Sequence, residues 1–183
     1  MVHNLWETSM TAKAFAAGLA LVLIGAVAAH AQIVHSGDAK AAIASSVFVP
    51  AGSDTLYVSG MTPPVIDPAA PKGTKASYGD TKTQTLGVLK RLDDELQAHG
   101  MTLGDAVMMR VYLVGDPDMG GKMDFAGMMA AYTTMFGTAD QPNKPARVTM
   151  QVASLVGPGQ LVEIELQAAK KHRPAKVAAK KKS

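Results

Sequence analysis

Lys144-Pro145-Ala146-Arg147-Val148-Thr149-Met150-Gln151-Val152 and Leu161-Val162-Glu163-Ile164-Glu165-Leu166-Gln167 are the stretches whose reading decides the fold. Each alternates apolar and polar side chains at period two, the signature of a strand with one buried face. In the first run Val148, Met150 and Val152 form the apolar set and Arg147, Thr149 and Gln151 the polar one. In the second, Val162, Ile164 and Leu166 oppose Glu163, Glu165 and Gln167. Placed in one sheet, the two runs put a guanidinium and one or two carboxylates on its non-core face. Such a face is either a salt-bridged surface, with Arg147 paired across strands to Glu163 or Glu165, or a small anion-binding catalytic site.

Leu155-Val156-Gly157-Pro158-Gly159-Gln160 turns the first run into the second. Upstream, an amphipathic helix is predicted from Met123 to Phe136. Phe125, Met128, Met129, Tyr132, Met135 and Phe136 recur on it at helical spacing, and Gly137 ends it. A methionine stripe of this kind reads as core filling. Ala106 to Val114 reads as a strand with Val107, Met109, Val111 and Leu113 on one face and Met108, Arg110, Tyr112 and Val114 on the other. Before it, Thr81-Lys82-Thr83-Gln84 has capping-box spacing and opens a helix with the stripe Leu86, Leu89, Leu92 and Leu96, which Gly100 closes. Val47 to Pro50 and Thr55 to Gly60 read as strands joined by the hairpin loop Ala51 to Asp54, followed by an irregular Pro/Gly-rich connection from Met61 to Gly79. This order makes an α+β domain with a mixed sheet and both helices on one face. The other face, where Met108, Tyr112 and Val114 stand among polar pairs, needs cover, and sister subunits supply it most economically.

A chain of 183 residues that is 48% hydrophobic supports one domain with a real core. It has no cysteine, which excludes disulfide and thiolate chemistry. His3, His30, His35, His99 and His172 show no metal-ligand spacing, so no metal site is expected. Residues 14–29 are apolar and uncharged and lead to Ala29-His30-Ala31, the small-x-small pattern of a secretory cleavage site, so 1–31 reads as a signal peptide starting at Met1 or Met10. The expected location is periplasmic or secreted. Residues 32–42 read as a flexible segment, 43–169 as the domain, and 170–183 as a basic disordered tail. The tail carries seven Lys/Arg and no acid, whereas the chain between leader and tail has ten bases against fourteen acids. The tail reads as solubilising, with weak contact to an anionic surface as the alternative. Lacking aromatic interleaving, it gives no case for nucleic-acid binding.

The order of elements and several short motifs resemble the YjgF/RidA family, small trimeric proteins with a chorismate-mutase-like fold. The matching residues are Leu56-Tyr57-Val58-Ser59-Gly60, Gln84-Thr85, Leu96 with Gly100, Val111-Tyr112-Leu113, Phe125 with Tyr132 and Phe136, Pro145-Ala146-Arg147, Val152-Ala153 with Leu155, and Leu161-Val162-Glu163-Ile164-Glu165. What the resemblance implies is cofactor-free hydrolysis of reactive enamines and imines of the 2-aminoacrylate type to 2-oxo acids and ammonia, at clefts between subunits of a homotrimer. It assigns Arg147 to the substrate carboxylate, Glu163 to the attacking water and the departing nitrogen, and Ser59 and Gly60 to the substrate's surroundings. Two positions depart from the pattern: Met129 stands where deaminase members carry an Asn, and Val47 or Phe48 where they carry a Tyr. Both exchanges remove polar contacts, which implies a more apolar substrate or a non-catalytic, trimeric carboxylate-binding or chaperone-like protein of the cell envelope.

Overall fold

A computed structural model of the chain describes residues 32–172, and the expected leader and the tail beyond His172 lie outside the described residues. Strands β1 (Val34–Ser36) and β2 (Ser46–Phe48) form a small antiparallel pair. Strands β3 (Ser53–Met61), β4 (Ala106–Val114), β5 (Ala146–Val152) and β6 (Val162–Lys171) form a four-stranded sheet in the order β3-β6-β4-β5. Only the β4/β5 pair is parallel, so the sheet is mixed. Helices α2 (Thr81–Ala98) and α3 (Phe125–Tyr132) pack on each other. Leu89, Leu92 and Leu96 of α2 and Met128 and Tyr132 of α3 share one core with Met109, Val111, Leu113, Val162, Ile164 and Leu166 of the sheet. This is the α+β, chorismate-mutase-like arrangement, with the opposite sheet face uncovered.

Several details differ from the sequence reading. β2 pairs with β1 rather than with β3, because β1 takes its ladder, so Ala51 to Asp54 joins two separate sheets and is not a hairpin loop. The segment 32–42 therefore carries a strand, and Ala44 bridges to Ala146 beside β5. At the far end Lys170 and Lys171 are the last residues of β6, registered against Asp54 and Ser53, and do not belong to the tail. A bulge at Val107 resets the alternation of β4, so that Ala106 is buried in its place.

The helix ends also find their own partners. Asp80, not Thr81, caps α2 by accepting a hydrogen bond from Thr83 N at 2.8 Å, and the Thr83 side chain, then this backbone bond, lower its carboxyl pKa. That leaves Gln84 to act elsewhere. Fully buried, it donates to Gly79 O and accepts from Leu161 N at 2.7 Å, fixing the start of α2 to the start of β6. α3 stops at Tyr132, four residues before the expected end, where the Thr133 and Thr134 hydroxyls bond back to Met129 O and Ala131 O and the chain winds into turns. Within the irregular connection a short helix, α1 (Lys75–Tyr78), is pinned by Lys75 Nζ, which donates to Asp116 and Asp118 at 2.7 Å.

Candidate functional site

β5 is an edge strand, and its register decides where Arg147 points. Arg147 stands level with Met109, and Thr149 with Val111, both fully buried under the helices. The polar set of β5 therefore faces the helices, while Val148 and Met150 lie on the open face at 36% and 40% exposure. This inverts the expected assignment. The reason is that α3 covers β5 with a wall that accepts a cation: the Arg147 guanidinium carbon lies 4.3 Å from the centre of the Tyr132 ring and 5.9 Å from that of Phe125. Its Nη2 donates to Met129 Sδ at 3.1 Å, and Nη1 lies 3.9 Å from Met128 Sδ. Among the described residues no carboxylate pairs with Arg147.

This setting is weakly polar, so the charge is held without being neutralised. Burial pulls the Arg147 pKa below its ordinary value, against the opposing influence of Tyr132. Tyr132 is 1% exposed, and burial pushes its phenol up to about 12 in spite of the neighbouring cation. Among the described residues its hydroxyl has no hydrogen-bond partner, nor has Thr149 Oγ1. The guanidinium keeps most of its five donors unspent on strong acceptors, as binding an incoming carboxylate in a two-pronged grip requires.

Glu163 occupies the other face. On β6 it alternates with the buried Val162 and Ile164 and stands level with Tyr112. β3 gains one residue on β6 between Val58 and Met61, a bulge that places Ser59 and Gly60 at this point. A Cβ built on Gly60 would stand 2.9 Å from Glu163 Cδ and closer to Oε1, so the carboxylate lies over a position that only glycine leaves open. Ser59 lines an adjoining open cavity of about 210 Å³ together with Tyr57, Arg110, Glu165 and Gln167. There Arg110 Nη1 donates to Glu165 Oε1 at 2.8 Å, and the Tyr112 hydroxyl donates to the same oxygen at 3.1 Å. Glu165 is thus engaged, which leaves Glu163 as the unpaired carboxylate of this face among the described residues.

The chain therefore brings Ser59, Gly60 and Glu163 together and keeps Arg147 apart from them. β4 stands between β5 and β6, a separation of about 10 Å by strand spacing alone, and the two groups project from opposite faces. The sequence reading put them on one face and offered a cross-strand ion pair between them. Neither holds. It also missed Phe125, Met128, Met129 and Tyr132 as the surroundings of Arg147. Their helical spacing was visible, but it indicates a face without saying what the face meets.

The profile of the family described as Endoribonuclease L-PSP matches residues 36–170, which take in β3, β4 and β5 and all of β6 but Lys171. The chain belongs to this family. It is the YjgF/RidA group that the motifs resemble, and curated relatives agree. A RutC family protein of Pyrococcus horikoshii is 38% identical over 110 residues, covering 60% of this chain and 75% of that protein. One from Pyrococcus abyssi is 36% identical over 100 residues, covering 55% and 67%. Among solved structures, a Rid family protein of unknown function from Yersinia pestis matches 76% of this chain and 98% of its own at a TM-score of 0.54 and 21% identity, a likeness of fold. Met129, which the resemblance sets against an Asn, rests its thioether on the guanidinium of Arg147. Val47 and Phe48, the two candidates for the missing Tyr, both lie on β2, Phe48 at 62% exposure.

Proposed function

We propose that this protein hydrolyses reactive imines or enamines that carry a carboxylate, in clefts completed by a second copy of the chain within a homotrimer. The observation that carries the proposal is the placement of Arg147 and Glu163 on opposite faces of one sheet, each without an ionic partner among the described residues. A site using both needs Arg147 from one protomer and Glu163, Ser59 and Gly60 from the next. In that cleft Arg147 grips the substrate carboxylate and Glu163 orients water onto the imine carbon, then returns the proton to the departing nitrogen. The carbon is already electrophilic, so the chemistry asks only for positioning and proton transfer.

Subunit packing also accounts for the exposed Tyr57, Val148 and Met150 of the open face. We place the reaction in the periplasm or outside the cell, on the strength of the apolar run and the Ala29-His30-Ala31 step. The test is ammonia release from 2-aminoacrylate generated in situ. An unchanged rate in Arg147→Ala would overturn the proposal.

A second reading, a carboxylate binder without turnover, is favoured by Met129, since the thioether removes a directed hydrogen bond from the site. Saturable pyruvate binding together with no ammonia release would support it. The family description names an endoribonuclease. Phosphodiester cleavage has less support here, because His35, His99 and His172 are engaged with Lys144 O, Glu95 and Asp54 and none bonds to Arg147 or Glu163.

A further inference from the structure

Of the side chains touching Arg147, Met129 combines direct contact with access. Its Sδ accepts from Nη2 at 3.1 Å, and the residue is only partly buried, whereas Met128 on the same turn is fully buried and its sulfur lies 3.9 Å from Nη1. Thioether sulfur is a weak acceptor, so the present contact leaves the guanidinium available. A sulfoxide is different in kind. Its oxygen carries a strong negative dipole and would extend from Sδ toward the same N–H groups that a carboxylate must engage.

We propose that Met129 is an oxidative modification site, and that its sulfoxide closes the anion grip of Arg147. The oxidant is a hydroperoxide: a lone pair of Sδ attacks the terminal peroxide oxygen, the O–O bond breaks, an S–O bond forms and water or an alcohol leaves. Sulfur is oxidised and the peroxide reduced, with no further reactant. The Met129 sulfoxide oxygen then accepts from Arg147 Nη2 and competes with the substrate carboxylate. A methionine sulfoxide reductase reverses the change. The inference rests on Arg147 being the carboxylate grip.

The experiment treats the full chain with hydrogen peroxide and follows three quantities: sulfoxide at each methionine by peptide mass mapping, pyruvate affinity by titration calorimetry, and the Arg147 guanidinium proton shifts by NMR, assigned with Arg147→Lys. Met119 and Met150 are exposed and will oxidise as well, so Met129→Leu, a swap of similar volume, is the control that keeps their contribution. The expected result is Met129 sulfoxide formation, a shift of the Arg147 protons in the wild-type chain only, and about tenfold weaker pyruvate binding that the reductase restores, the equivalent of one charge-assisted hydrogen bond. Met129 left unoxidised while Met119 and Met150 react would overturn the proposal, as would equal loss of binding in Met129→Leu or unmoved Arg147 protons. Absence of pyruvate binding before oxidation would count against the Arg147 grip instead, and the NMR arm would still decide whether the sulfoxide meets the guanidinium.

Discussion

Mixing two inactive variants tests the intersubunit site directly. Arg147→Ala removes the grip and leaves Glu163 untouched on the other face; Glu163→Gln does the reverse. Losing both prongs of a charged grip costs about 3 kcal/mol or more of transition-state binding, roughly a hundredfold in rate. Losing a general acid/base costs about 10² to 10⁴. Each variant alone should therefore release ammonia at no more than roughly a hundredth of the wild-type rate. If the two residues act from neighbouring protomers, co-expression of differently tagged variants assembles some clefts from an intact Arg147 and an intact Glu163. In a cyclic oligomer with random equal mixing, each cleft has roughly a one in four chance of this, so mixed oligomers recover about a quarter of the wild-type rate. A site built within one chain would leave every copy with a defect. Mixed oligomers no more active than their parents, with wild-type oligomers active in the same assay, would refute the shared cleft.

Other consequences can be checked separately. Gly60→Ala drives a Cβ onto the flexible Glu163 carboxylate, so turnover should fall at least tenfold while stability moves by less than about 1 kcal/mol in urea unfolding. Tyr132→Phe keeps the ring under Arg147 and deletes a buried hydroxyl that has no partner among the described residues, so the unfolding free energy should hold or rise by up to about 1 kcal/mol. Lys75→Met strands the buried Asp116 carboxylate, and its cost, measured by chemical unfolding, should be about 2 kcal/mol, between the values for exposed and fully buried pairs. The pH dependence of that contact has a defined sign. Hydrogen bonds from Lys75 to Asp116 and then Asp118 raise its pKa above the ordinary lysine value of 10.5, so its contribution is complete below that value and disappears as pH rises through the folded pKa. Thermal melts should show an alkaline loss in the wild-type chain that Lys75→Met lacks.

Legibility in the sequence followed the range of the interactions. Alternation gave β4, β5 and β6, and leucine spacing gave α2 with its stop at Gly100, because these depend on neighbours a few residues apart. The partner of β2 was not legible, since two short strands and a polar turn fit a hairpin equally well, and β1, at three residues too short to show a period, takes the place of β3. The face of β5 was lost for a related reason. Period two separates Arg147 and Thr149 from Val148 and Met150 but does not say which set faces the helices. The ordinary rule buries the aliphatic set. It fails on this edge strand because α3 presents two thioethers and two rings, a wall against which an arginine stem packs and its cation is retained.

That failure bears on function. Had Arg147 lain on the open face as expected, it would have stood with Arg110 above Glu163 and Glu165, two cations for two carboxylates, and the simplest outcome would have been two ion pairs with nothing left to bind. On the helix-covered face no carboxylate among the described residues pairs with it, and Glu165 is taken by Arg110 and Tyr112 on the other side. Desolvation of the guanidinium opposes folding, and the rings and thioethers offset it only in part, since none of them is a strong acceptor. A half-buried cation so incompletely compensated gains most from an arriving anion. The same weakness of its partners that makes Arg147 poor as a structural contact makes it suited to hold a carboxylate, and the fold keeps Glu163 from filling that place by turning it to the opposite side of the sheet.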